Sequence, residues 1–204
     1  ALAGRADICT STFSIAAVDT AAGEAGVAVA SKVLSVGYIV PWADADAGVV
    51  ATQALANAGF GPLGLELLES GMPAETVLDS LRATDPEIEQ RQLGVVDMAG
   101  GSASFTGTGT LDWAGGVSGP CYAIQGNILV GPEVVEEMED AFLAADGPLA
   151  RRLLAALRAG DDAGGDSRGR QSAAILVVRP GGGYQGSSER LVDIRIADHV
   201  DPVG

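Results

Sequence analysis

The chain has 204 residues, 47% of them hydrophobic but only 4% aromatic, with a net charge of −15 and a pI near 4.2. That length fits one domain whose core is filled by Ala, Val, Leu and Ile. So acidic a surface repels phosphate backbones and anionic lipid, which excludes nucleic acid and membrane surfaces as expected partners.

Residues 1–11 read as an N-terminal extension and 12–204 as a single domain. Thr12 to Val18 alternates large apolar residues at Phe13, Ile15 and Ala17, the pattern of a strand. A Gly-, Ala- and Asp-rich turn over Asp19 to Gly26 joins it to a second strand, Val27 to Val33, as a hairpin. Ala47 to Ala51 is a short buried strand. Phe60 to Ser70 is helical, with Pro62 in its first turn and Gly71 as a stop. Pro73 to Ala83 is a second helix with Val77, Leu78 and Leu81 on one side. Gln92 to Asp97 and Ser102 to Gly107 form another hairpin.

Pro132 to Ala145 is a helix with Glu133, Glu136 and Glu137 near its N-terminus, where the helix dipole favours acids. Pro148 to Ala159 follows, with Leu149, Leu153 and Leu157 inward. Asp161 to Arg170 is a loop, and Ala173 to Val178 and Arg190 to Ile196 are the last strands. Strands come in hairpin pairs rather than alternating with helices. The class is therefore α+β, with two mainly antiparallel sheets between two helix layers.

Several chemistries are excluded. There is no Gly-Lys-Ser/Thr end for a phosphate loop, and no Gly-x-Ser-x-Gly elbow. His199 is the only histidine, so a two-histidine zinc site cannot form. It sits beside Asp198 and Asp201 and reads as a solvated tail residue. Cys9 and Cys121 show neither metal spacing nor a disulfide pattern, so a reduced, cytoplasmic compartment is expected. No apolar run reaches the roughly 20 residues of a membrane span. No cofactor and no metal are expected.

Four constellations remain. Lys32 is the one lysine among twelve cationic residues. An arginine stays charged at any ordinary pH, whereas a lysine amine can lose its proton when desolvated, so a site needing a neutral amine would exclude Arg. The equal alternative is an ordinary ion-paired lysine. Thr10, Ser11, Thr12 and Ser14 cluster hydroxyls at the first strand, where a threonine can act as nucleophile; strand propensity explains them as well. Ser31, beside Lys32, is a further hydroxyl. The amides Gln53, Asn57, Gln125 and Asn127 are candidate donors to an oxyanion or ligand carbonyl, or loop-satisfying groups. In Gly164 to Ser172, Arg168 and Arg170 can fork a carboxylate and Asp166 can orient an amine, or the segment is a salt-bridged surface loop.

Several of these segments together resemble a bacterial family, domain of unknown function 1028. They include Thr12 to Ile15, Gly26 to Lys32, Val40 to Ala43, Val50 to Ala54, Gly61 to Leu68, Trp113 to Gly115, Gln125 to Leu129 and Gly164 to Ala174. The resemblance runs from about Thr12 to Asp201. It implies a four-layer αββα sandwich similar to the N-terminal-nucleophile hydrolases, which cleave amides and related C–N bonds. By position Thr12 matches the nucleophile and Lys32 the amine-bearing helper, acting as general base or proton shuttle. The expected function is hydrolysis of an amide, lactam or imine of a small polar substrate. The alternatives are a non-catalytic small-molecule-binding protein on the same scaffold and a lyase using Lys32 as Schiff-base nucleophile. A homo-oligomer is also expected from the resemblance.

Overall fold

The computed structural model describes Cys9, Thr10 and residues 12–204. Apart from the backbone of Cys9 and Thr10, the expected extension over residues 1–11 lies outside the described residues. The strands are β1 (Cys9–Thr10), β2 (Thr12–Asp19), β3 (Glu24–Ser31), β4 (Pro41–Asp44), β5 (Gly48–Leu55), β6 (Arg91–Asp97), β7 (Ser102–Thr106), β8 (Gly115–Gly119), β9 (Tyr122–Asn127), β10 (Ser172–Val178) and β11 (Arg190–Ile196). The helices are α1 (Phe60–Glu69), α2 (Ala74–Thr84), α3 (Glu133–Ala144) and α4 (Leu149–Asp162).

The protein is a mixed α/β fold with two antiparallel sheets and four helices. One sheet runs β11-β10-β3-β2-β9-β8. The other runs β1-β5-β6-β7, and β4 and β1 share the outer edge of β5 at its two ends. Every ladder is antiparallel, so the sheets are built from hairpins and long returns rather than crossover helices.

Three apolar cores follow from the two-residue side-chain period of the strands. Phe13, Ile15 and Ala17 of β2 point to one side, where they meet Val134, Met138 and Phe142 of α3 and Leu149, Leu153 and Leu157 of α4. Ala16 and Val18 point to the other side and meet Val49 and Ala51 of β5 and Val96 of β6. Beyond that second sheet, Val50, Leu93 and Val95 pack under Phe60 and Leu68 of α1 and Val77 and Leu81 of α2. The cores thus stack helix pair, sheet, sheet, helix pair. In each helix the buried residues recur at three- and four-residue steps, the stripe an amphipathic helix lays on a sheet.

Several boundaries differ from expectation. β3 ends at Ser31 rather than Val33, so Lys32 leaves the sheet. β5 runs on to Leu55, and α4 continues past Gly160 to Asp162. β4, β8 and β9 were not expected as strands. β8 carries Gly115, Gly116 and Gly119, which offer no alternation of large apolar side chains to read.

Candidate active site

The face of each strand that looks into the space between the sheets is apolar for most of its length and becomes polar at one common end. On β2 the row Val18, Ala16 continues to Ser14 and Thr12; on β3 the row Val27, Val29 ends at Ser31. On β5 the row Val49, Ala51 reaches Gln53, and on β9 Ala123 is followed by Gln125 and Asn127. On β6, Val96 and Gly94 lead back to Gln92. Antiparallel pairing brings all these ends together: Thr12 lies opposite Ser31 and Asn127, Ser14 opposite Gln125, and Gln53 opposite Gln92.

All of these side chains are 2% exposed or less, so they must satisfy one another. The Ser14 hydroxyl donates to Gln53 Oε1 at 2.6 Å and accepts from Gln125 Nε2 at 2.7 Å. Gln53 Nε2 donates to Gln92 Oε1 at 2.7 Å and to the carbonyls of Thr12 and Gln125 at 3.2 and 3.3 Å. Asn127 Nδ2 also donates to Gln92 Oε1, at 3.0 Å. Gln92 Nε2 in turn donates to the Gly126 carbonyl at 2.7 Å, Thr106 Oγ1 at 2.9 Å and the Gly115 carbonyl at 3.1 Å. The Thr12 hydroxyl donates to Ser31 Oγ at 3.3 Å. Gln125 Oε1 is buried without a hydrogen-bond partner and lies over Gly94, where a Cβ would approach it to 2.3 Å.

The sequence picked out Thr12, Ser14, Ser31, Gln53, Gln125 and Asn127, and the structure brings these six together. It missed Gln92, which like Gln53 joins the two sheets. Asn57 lies elsewhere, past the end of β5. Its Nδ2 donates to Asp85 Oδ2 at 2.8 Å and its Oδ1 accepts from the Gly59 amide. Burial alone would raise the Asp85 carboxyl, but the hydrogen bonds from Asn57, the Glu87 amide and Arg91 hold it below the ordinary range.

Lys32 does not occupy the desolvated position expected for it. One residue past the end of β3 its side chain is exposed, and Nζ donates to the Arg170 carbonyl at 3.0 Å. Its backbone amide is the anchored part, donating to Asp166 Oδ2 at 2.7 Å. Asp166 is 4% exposed and also takes Arg168 through Oδ1 and Oδ2. Arg170 pairs instead with Asp161 at 2.7 Å, and that hydrogen bond lifts its guanidinium above the ordinary arginine range. The two arginines are therefore held by different carboxylates and do not form an open fork. The loop around them ties together the strand ends that carry the polar cluster. Ser167 donates to the Ile128 carbonyl at 2.9 Å and Val130 to that of Gly165 at 3.2 Å.

Two antiparallel sheets with a hydroxyl-and-amide cluster sealed between their ends define a mixed α/β protein with an interior polar site. The chain belongs to the Family of unknown function DUF1028, whose model matches residues 12–204 and so begins at Thr12. A crystal structure of a Silicibacter pomeroyi protein assigned to the same family is 35% identical, with a TM-score of 0.86 over 95% of this chain and 85% of that one. No curated protein matches the chain. Among the described residues no helix is long and apolar enough to cross a membrane.

Proposed function

We propose that this chain is a hydrolase of the N-terminal-nucleophile type that opens a C–N bond, in an amide, lactam or imine, of a small polar substrate. The observation that carries the reading is the place of Thr12. It opens β2 at the polar end of the inter-sheet space, fully buried, with its hydroxyl on Ser31 Oγ, and the family match begins there. The helix–sheet–sheet–helix stacking supports an αββα sandwich of that class. Ser14 is the weaker nucleophile candidate, because its hydroxyl is already committed to Gln53 and Gln125.

In this chain the Thr12 nitrogen is an amide, which cannot take a proton. Hydrolysis of the Ser11–Thr12 peptide bond would release an α-amine able to accept the hydroxyl proton as Oγ1 attacks the substrate carbon. For an amide, that proton then leaves with the amine product, and water hydrolyses the ester on Oγ1. Lys32, exposed just past the end of β3 with Nζ on the Arg170 carbonyl, does not supply the desolvated amine that the base role asks for.

Intact-mass analysis gives the mature N-terminus, and turnover is measured on a panel of small amides, lactams and cyclic imines. Thr12→Ala is expected to lower turnover by roughly 10³-fold or more. Unchanged turnover in that variant overturns the reading. The acylated Thr12 nitrogen favours one second reading, a small-molecule-binding protein. It predicts a bound compound that is recovered intact after long incubation.

A further inference from the structure

We propose that β11 is the seam of a homodimer, two copies of this chain joining edge to edge through an antiparallel β11–β11 pair. β11 ends the six-stranded sheet, and among the described residues no strand pairs with its outer edge. An unpaired edge is a row of free backbone donors and acceptors, ready to add another strand. The question is which strand fits it.

The sequence of β11 answers that it fits itself. An antiparallel two-fold centred on Ile194 places Ile194 opposite Ile194 of the second copy. Val192 then lies opposite Ile196, and Asp193 opposite Arg195, each pair occurring twice. The matched stretch is Val192 to Ile196, since the ladder with β10 shifts register at Leu191 and β11 ends at Ile196. No like charges face each other, and every apolar residue meets an apolar one. Directly opposite residues are the pairs that stabilise antiparallel strands. A register centred one residue earlier would set Asp193 against Asp193.

Charge makes this edge selective. Each copy carries a net −15, so two copies repel over most of their surfaces. The strip from Arg190 to Asp198 is neutral in sum and alternates in sign, so it offers an approach without that penalty. At present Asp193 pairs within its own chain, with Arg195 at 2.6 Å and Arg190 at 3.2 Å, so the charges already stand along the strand.

The faces agree as well. Ile194 and Ile196 lie opposite Ile175 and Ala173 of β10 and are 56% and 38% exposed. With Leu154, Leu157 and Val203 they line an open cleft beside α4. The two-fold would set the apolar clefts of both copies side by side across the seam and shield Ile194 from water.

The test is sedimentation of the full chain together with single-cysteine cross-linking. The unmodified chain is expected to sediment at twice its 20.4 kDa mass at about 100 μM. Ile194→Cys places two thiols directly opposite, at a Cα separation of about 4.5–5.5 Å that suits a disulfide. It should cross-link on mild oxidation well beyond the background of the native cysteines. Ile196→Cys, offset from its own copy by about four residues or roughly 13 Å, should not. Asp193→Arg should raise the dimer dissociation constant about 10-fold or more, and Asp193→Arg with Arg195→Asp should restore it. A monomer at 100 μM overturns the proposal, as does equal cross-linking of Ile194→Cys and Ile196→Cys. Either result would leave the edge to a different occupant.

Discussion

Replacing Gln92 by Met keeps the length and most of the volume of the side chain and removes its amide. In the folded protein, Gln92 Nε2 serves the carbonyls of Gly126 and Gly115 and the Thr106 hydroxyl, and Oε1 accepts from Gln53 and Asn127. Gln53 keeps two other acceptors, the Thr12 and Gln125 carbonyls, so its loss is partial. The Gly126 carbonyl is buried with Gln92 and has no water to turn to, whereas the Thr106 hydroxyl and the Gly115 carbonyl belong to half-buried residues that water can reach. Each buried polar group left unmet costs about 1–3 kcal/mol, and one to two such groups give a loss of about 1–6 kcal/mol. Against a typical domain stability of about 5–15 kcal/mol that is a large fraction. Urea denaturation followed by circular dichroism should show the midpoint falling by about 0.5–3 M at unchanged slope, taking a slope near 2 kcal/mol/M. A midpoint within about 0.3 M of the parent would refute the reasoning, since it would mean that the cluster is not sealed from solvent.

Gly94→Ala should destabilise by about 1–3 kcal/mol, since its Cβ would press on Gln125 Oε1 at 2.3 Å and push that amide off Ser14; thermal unfolding measures it. Burial and the hydrogen bond to Glu139 push the Tyr122 hydroxyl up to about 12. A neutral phenol is thus favoured in the folded state, so this contribution is complete below pH 10 and is lost as pH rises through 12. Tyr122→Phe should flatten the fall in stability over that window, and a fall as steep as the parent's would assign it to other groups.

The polar cluster was legible in the sequence to the extent that its residues sit on strands whose period could be read. Thr12 and Ser14 continue the Ala16, Val18 row, and Gln53 ends the row of Val49 and Ala51. Gln92 followed the same rule, two residues from Gly94 and four from Val96, on a segment read as a strand from Gln92 to Asp97. The signal was parity, and grouping amides by residue type passed over it. The same grouping took in Asn57, which lies beyond the last residue of β5 and answers to Asp85 instead. Lys32 was placed inside a strand because Val33 continued the apolar pattern. The ladder of β3 with β2 and β10 stops at Ser31, and Asp166 takes the next backbone amide, so the side chain is released to the surface. That anchor is 134 residues away in sequence, and no local pattern announces it. β8 escaped notice because small residues fill a strand without advertising its faces, and β9 because its large apolar alternation, Tyr122 and Ile124, is only two residues long before the strand turns polar.

The switch from apolar to polar along each inter-sheet row also acts as a key for strand alignment. Sliding β5 by one residue would carry Gln53 to the side occupied by α1 and α2, where Val50, Phe60 and Leu81 offer it no partner. Sliding β2 would exchange Ser14 with Phe13 or Ile15 and strand a hydroxyl against α3 and α4. An all-apolar interior built of Ala and Val, with few bulky shapes to tell one alignment from the next, would tolerate such errors cheaply. Seven buried polar side chains that bond to one another only in a single arrangement make every misalignment costly. The same residues that make one end of the inter-sheet space polar therefore also proofread its assembly.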